Sequence, residues 1–294
     1  MTSTTNTTTR TTTSPATTTA RPKASGQQPS EQAIDAAIDS ATRLLRLPTF
    51  RDRYGEFADA ASREQLSYRA FLSKLLLAEC DDCEQRRAAR RVAEAGFPRP
   101  KTLADFDFAA NTAINPATIN TLAGCGWASK GQSLCLIGDS GTGKSHLLIG
   151  LGTAAAQAGH KVRYVLAAKL VNELVEAADE RQLSRTIARY GRVELLCLDE
   201  LGYMELDKHG AELLFQVLTE REKKTAVAIA SNDSFSGWTK TFTDPRLCAA
   251  TVDRLTFSGN ITETGTSSYR LAHARSQRKP DGATSSRHDG ATSR

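Results

Sequence analysis

An α/β domain with a five-stranded parallel sheet, behind a small all-helical segment, is the architecture this sequence predicts. Three features carry the prediction. Short apolar runs alternate with helix-forming stretches, one run leads straight into a glycine-rich loop and a helix, and another ends in two adjacent carboxylates. The strands are expected at residues 133–137, 161–166, 193–198, 225–230 and 259–264, with helices over both faces.

The helical segment comes first. Residues 30–94 are rich in helix formers, and Leu66, Phe71, Leu72, Leu75 and Leu76 supply an apolar stripe at helical spacing. The first strand is Ser133-Leu134-Cys135-Leu136-Ile137, bounded by Gly131 and Gly138. The loop that follows, Gly138-Asp139-Ser140-Gly141-Thr142-Gly143-Lys144-Ser145, matches G-x-x-x-x-G-K-[ST] at every constrained position. Its glycines let backbone N–H groups converge on phosphates, Lys144 offers a cation to the β- and γ-phosphates, and the Ser145 hydroxyl suits Mg²⁺. A helix from His146 to Ala158, ending at Gly159, adds a positive dipole end to the same place. His146 is counted with the loop as a contact residue, read as part of the helix rather than as a base.

The second strand is Lys161 to Leu166, followed by an amphipathic helix from Ala167 to Ala178. The third, Val193 to Leu198, ends in Asp199-Glu200, and the carboxyl ends of strands are where an open α/β sheet places its ligands. Asp199 is expected to orient Mg²⁺ and Glu200 to act as general base toward an attacking water. The fourth strand, Thr225 to Ala230, ends in Ser231-Asn232, which puts the Asn232 amide where it can sense the γ-phosphate. The fifth, from Gly259 to Thr264, is more polar and expected at an edge. These positions together predict an ATP site that hydrolyses its ligand.

The blocks also resemble a known family. The Gly-Lys-Ser-His-Leu run, Asp199-Glu200-Leu201-Gly202-Tyr203, residues 210–218, Ser231-Asn232, Phe235 to Trp238, Asp244-Pro245-Arg246-Leu247, Asp253-Arg254-Leu255 and Ser268-Tyr269-Arg270-Leu271 are similar to those of IstB-like ATPases. These are helpers of insertion-sequence transposition, relatives of DnaC-type helicase loaders within the AAA+ class. With residues 96–108, similar to that family's linker, the likeness spans roughly residues 40–275. It implies a P-loop AAA+ ATPase without a C-terminal lid. It also implies Arg254 as an arginine finger reaching a neighbouring subunit of a homo-oligomer, and Arg270 or Arg246 as a second sensor. The implied partners are double-stranded DNA and a cognate transposase, or, on the loader alternative, a replicative helicase. A third reading is a DNA-binding scaffold with structural ATP.

Charge fits a phosphate partner. Between Ala41 and Leu103 there are 13 Lys or Arg against 9 Asp or Glu, in a chain of net charge +5. Arg86, Arg87, Arg90 and Arg91 would line one side of a helix and face DNA phosphates. The six cysteines suit a reduced compartment, and Cys80-Asp81-Asp82-Cys83 lacks the second ligand pair of a zinc site. Residues 1–29 and 276–294 are low-complexity stretches expected to be disordered. With no secretory or membrane segment visible, the expectation is a cytoplasmic protein with a helical DNA- or partner-binding domain over residues 30–103 and an ATPase domain over 104–275.

Overall fold

The structure is a computed structural model and describes residues 30–222, 224–266 and 268. Both expected tails and Arg270 lie outside the described residues, as does the segment that bears on a lid. The chain divides into two compact units, up to Cys80 and from Asp81 onward.

The first unit contains α1 (Glu31–Leu45), α2 (Pro48–Arg63) and the beginning of α3 (Tyr68–Ala95). Ser30 caps α1 by accepting from the Ala33 amide, and Pro48 starts α2 where a missing N–H costs nothing. Only part of the predicted stripe is covered. Leu75 is fully buried, whereas Leu72 and Leu76 are 48% and 45% exposed. The two pairs 71/75 and 72/76 lie about 100° apart around a helix, so a single packed side shelters one pair and leaves the other in water. Leu66 precedes α3 and does not belong to its stripe. The buried Glu79 carboxylate accepts from the Phe50 amide at 2.8 Å, tying α3 to α2.

The second unit continues through α4 (Pro116–Ala123), α5 (Gly126–Ser129), β1 (Ser133–Ile137), α6 (Lys144–Gln157), β2 (Val162–Leu166) and α7 (Ala167–Asp179). Then follow α8 (Leu183–Gly191), β3 (Leu195–Leu201), α9 (Lys208–Arg221), β4 (Ala226–Ser231), α10 (Trp238–Thr241), α11 (Pro245–Thr256) and β5 (Asn260–Glu263). The strands form one parallel sheet in the order β2-β3-β4-β1-β5. The central strands β1, β3 and β4 are apolar on both faces, as a sheet covered twice requires. The polar β5 is at an edge, as expected. Alternate residues serve two cores: Cys135, Leu196, Leu198, Val227 and Ile229 join one with α7 and α9, while Leu134, Leu136, Leu195, Ala226 and Ala228 join the other with α6.

The α6 face is built for close approach. The β4 side chains there are alanines, and a Cβ on Gly152 would come within 3.1 Å of Cys197 Sγ and 2.9 Å of Phe97 Cζ. The last turns of α3 pack on the same core through Val92 and Ala95. This alters the predicted arginine stripe. Arg86, Arg87 and Arg90 are exposed, but Arg91 Nε donates to the Ala156 carbonyl at 2.7 Å, at the C-terminal end of α6. The last carbonyls of a helix, with spare acceptor capacity, and its negative dipole end draw in a guanidinium there.

Candidate functional site

Parallel strands with β4 inserted between β1 and β3 bring three loop ends to one edge of the sheet. The glycine-rich loop leaves β1, the carboxylate pair ends β3, and Asn232 follows β4. All three border a cavity of about 620 Å³.

Gly141 and Gly143 have φ of 87° and 99°, in the region that favours glycine, and the turn they make delivers the chain into α6 at Lys144. Position 143 has a second restriction, because a Cβ there would sit 2.6 Å from the Phe106 ring. Lys144 is buried, and its Nζ donates to the Asp139 carbonyl at 2.7 Å, which folds the cation back over the loop. Ser140 to His146 border the cavity; Gly138 and Asp139 shape the loop from behind it. His146 Nε2 lies 2.9 Å from the Thr102 carbonyl and its ring meets Phe106 edge-on. It joins α6 to the upstream linker, in keeping with its reading as a helix residue.

Asp199 is 3% exposed and fully engaged. Its Oδ1 accepts from Ser145 Oγ at 3.1 Å and from the Glu200 amide at 2.9 Å, and its Oδ2 accepts from the Tyr164 hydroxyl at 2.8 Å. Burial, and after it the Asp199 charge, raise the Tyr164 pKa far above the ordinary phenol range, so the hydroxyl stays a donor. Among the described residues no group of three or more His, Cys, Asp or Glu could hold a metal alone. A hydroxyl beside one carboxylate is nevertheless a donor set that fits Mg²⁺, which keeps several waters and takes the rest of its shell from substrate phosphates. Cys80 and Cys83 are free thiols.

Glu200 adopts φ of +60°, a conformation costing about 1–3 kcal/mol in a residue with a side chain. The reason is a bulge. Leu198 pairs with Ile229 and Leu201 with Ser231, so β3 spends one more residue than β4 over that stretch. Bulges re-aim side chains next to active sites, and here the exposed Glu200 borders the cavity with Asn232. Asp199 and Glu200, adjacent in sequence, thereby occupy different surroundings: one carboxylate buried and held, the other open to solvent.

Arg254 does not border this cavity. Its Nε is 3.0 Å from Glu222, its guanidinium donates to Thr219 Oγ1, and it stacks 4.4 Å from the centre of the Phe215 ring. Arg246 is exposed at the start of α11.

Beyond the residues that the sequence assigned to the site, Arg99, Lys101, Asp105, Phe106, Asp107 and Asn111 also border the cavity. Asn111 is buried, and its Nδ2 donates to the carbonyls of Thr142 and Thr264, both at 2.9 Å. The buried Thr142 and Thr264 hydroxyls are 2.6 Å apart. This stitches the loop to the end of β5. Asn111→Ala strands two buried carbonyls and is expected to cost about 2 kcal/mol, a fall of roughly 4–8 °C in the unfolding midpoint followed by circular dichroism. An unchanged midpoint would mean the loop is held by other contacts.

Comparison with known proteins gives the family. The family described as IstB-like ATP binding protein matches residues 40–277. An insertion-sequence ATP-binding protein of Sinorhizobium fredii is 36% identical over 231 residues, covering 78% of each chain. The IS21 ATP-binding protein of Pseudomonas aeruginosa is 33% identical over 217 residues, covering 74% of this chain and 82% of its own. Among solved structures, AMPPCP-bound DnaA from Aquifex aeolicus superposes with a TM-score of 0.50 at 19% identity, over 63% of this chain and 56% of that one, a likeness of fold. With the P-loop, the β2-β3-β4-β1-β5 sheet and a match across most of its length, the chain belongs to the IstB-like ATP-binding protein family, on an AAA+ fold.

Proposed function

We propose that the protein binds ATP with Mg²⁺, hydrolyses it, and uses the cycle to assemble on double-stranded DNA and regulate a partner transposase. The observation that carries the reading is the Ser145–Asp199 hydrogen bond, with Glu200 and Asn232 bordering the same cavity. It joins the phosphate loop to a carboxylate whose neighbour is free for base chemistry. The amides of residues 140–145 would face the phosphates, and Lys144 would turn from Asp139 to the β- and γ-phosphates. Ser145 and Asp199 would hold Mg²⁺, which supplies charge neutralisation when bound. Glu200 would take the proton of the attacking water, and Asn232 would orient that water or the γ-phosphate.

The distance of Arg254 from its own site supports a role across a subunit boundary, where its cation would meet charge developing on a neighbour's γ-phosphate. Mixing settles it. Arg254→Ala and Glu200→Gln subunits, each inactive alone, are expected to regain turnover together, since a mixed boundary pairs an intact site with an intact arginine. No recovery at any ratio would sink the trans role.

The exposed Arg86, Arg87 and Arg90 support DNA contact through phosphates, hence weak sequence preference and strong salt dependence. The names of the Sinorhizobium and Pseudomonas relatives associate those proteins with insertion sequences and support a transposase as partner. The deciding experiment is ATP turnover with and without double-stranded DNA, beside sedimentation with a non-hydrolysable analogue. DNA-stimulated turnover and nucleotide-dependent assemblies are expected; a monomer without turnover would favour a scaffold with structural ATP. Recovery of a replicative helicase instead of a transposase in a pull-down would shift the reading to a loader.

A further inference from the structure

We propose that Tyr164 is a positioning residue for the metal-orienting carboxylate, its hydroxyl locking Asp199 in the rotamer that serves Ser145 and Mg²⁺. The inference rests on the reading of Asp199 as the carboxylate that orients the metal shell. Tyr164 pairs with Cys197 in the β2–β3 ladder, while Asp199 pairs with Leu166. Tyr164 and Asp199 are therefore diagonal neighbours on one face of the sheet, a separation that a long aromatic side chain spans and a shorter one does not. The phenol reaches Asp199 Oδ2 at 2.8 Å, on the oxygen that neither Ser145 nor the Glu200 amide uses.

The division of labour is geometric. A carboxylate can rotate about its last torsion over a broad well, and with donors on Oδ1 alone it could swing about that oxygen. A donor on Oδ2 removes that freedom. Ser145 gives its proton to Oδ1, which leaves its oxygen lone pairs for a cation. The phenol is itself held. Phe97, from the linker that follows α3, packs on the Tyr164 ring at 5.9 Å between centroids, and the same Phe97 ring lies against Gly152 of α6. Phe97 thus reaches the carboxylate through the Tyr164 ring, and neither of these two rings borders the cavity.

The test is calorimetric binding of a non-hydrolysable ATP analogue to the full chain across a Mg²⁺ series. Tyr164→Phe keeps the ring and removes the hydroxyl. It is expected to leave affinity in EDTA unchanged and to lower the ligand-free unfolding midpoint by only a few degrees, while raising half-saturating Mg²⁺ about ten-fold, the usual cost of losing a partner that orients a metal ligand. Asp199→Asn must raise the Mg²⁺ requirement as well. If it does and Tyr164→Phe does not, the positioning role is overturned alone; if neither does, the metal reading of Asp199 falls and the proposal with it. Tyr164→Leu adds loss of ring packing. A Mg²⁺ shift in Tyr164→Leu that is absent from Tyr164→Phe would assign the effect to the ring and overturn the role of the hydroxyl.

Discussion

Lys144→Ala is expected to weaken ATP binding by about 2–5 kcal/mol, roughly 30- to 4,000-fold, as when one partner of a desolvated charge pair is removed. The size follows from where the ammonium sits. Lys144 is 6% exposed at the first position of α6, and its Nζ already lies over the loop on the Asp139 carbonyl. Little reorganisation separates that position from bound phosphate, so its charge acts with small entropic loss. The substitution removes a polar contact and leaves the buried leucines of α6 in place, so the ligand-free protein should unfold within a few degrees of the parent. Calorimetry with the non-hydrolysable analogue reads the affinity, and thermal unfolding reads the fold. Parent-like affinity would displace the nucleotide from this loop.

Glu200→Gln is expected to separate binding from turnover. An amide of the same shape cannot accept the proton of an attacking water, so hydrolysis should fall about 10²- to 10⁴-fold while analogue affinity stays close to the parent's. The binding contacts are on other residues: the Glu200 amide serves Asp199 through the backbone, which the substitution keeps. Assemblies formed with ATP should consequently persist where the parent's decay, a difference visible in sedimentation over time. Parent-like turnover in Glu200→Gln would remove the general-base assignment and make the scaffold reading the stronger one.

The two adjacent acids show how far sequence reading reaches. Their position after an apolar run was sufficient to place them at a strand's carboxyl end, because a run buried on both faces leaves one location for its first charges. Their different surroundings were not legible. The expected strand stopped at residue 198, whereas β3 runs to Leu201 through a bulge with Glu200 at positive φ. A bulge depends on which strand lies alongside and in what register, and no local pattern encodes that. The arginine stripe of α3 is the converse case. Helical spacing placed Arg86, Arg87, Arg90 and Arg91 together, but the end of α6, which lies 65 positions further along the chain, claims Arg91.

What the sequence determined by itself is the set of elements whose signal is local: four apolar strands and a more polar fifth, the phosphate loop with its helix, the carboxylate pair and the helical segment ahead of them. Each follows from backbone conformations and burial patterns that neighbouring residues impose on one another. Tertiary structure alone decided the strand order, apart from the edge place of the fifth strand, the grip of Asn111 on Thr142 and Thr264, and the approach of Tyr164 to Asp199. Those contacts join residues 31, 153 and 35 positions apart. The Tyr164–Asp199 contact exists because the sheet sets β2 beside β3 and side chains on adjacent strands meet by register. Asn111, from the segment ahead of α4, bonds to both Thr142 and Thr264 where β5 lies beside β1; sequence separation reveals neither contact.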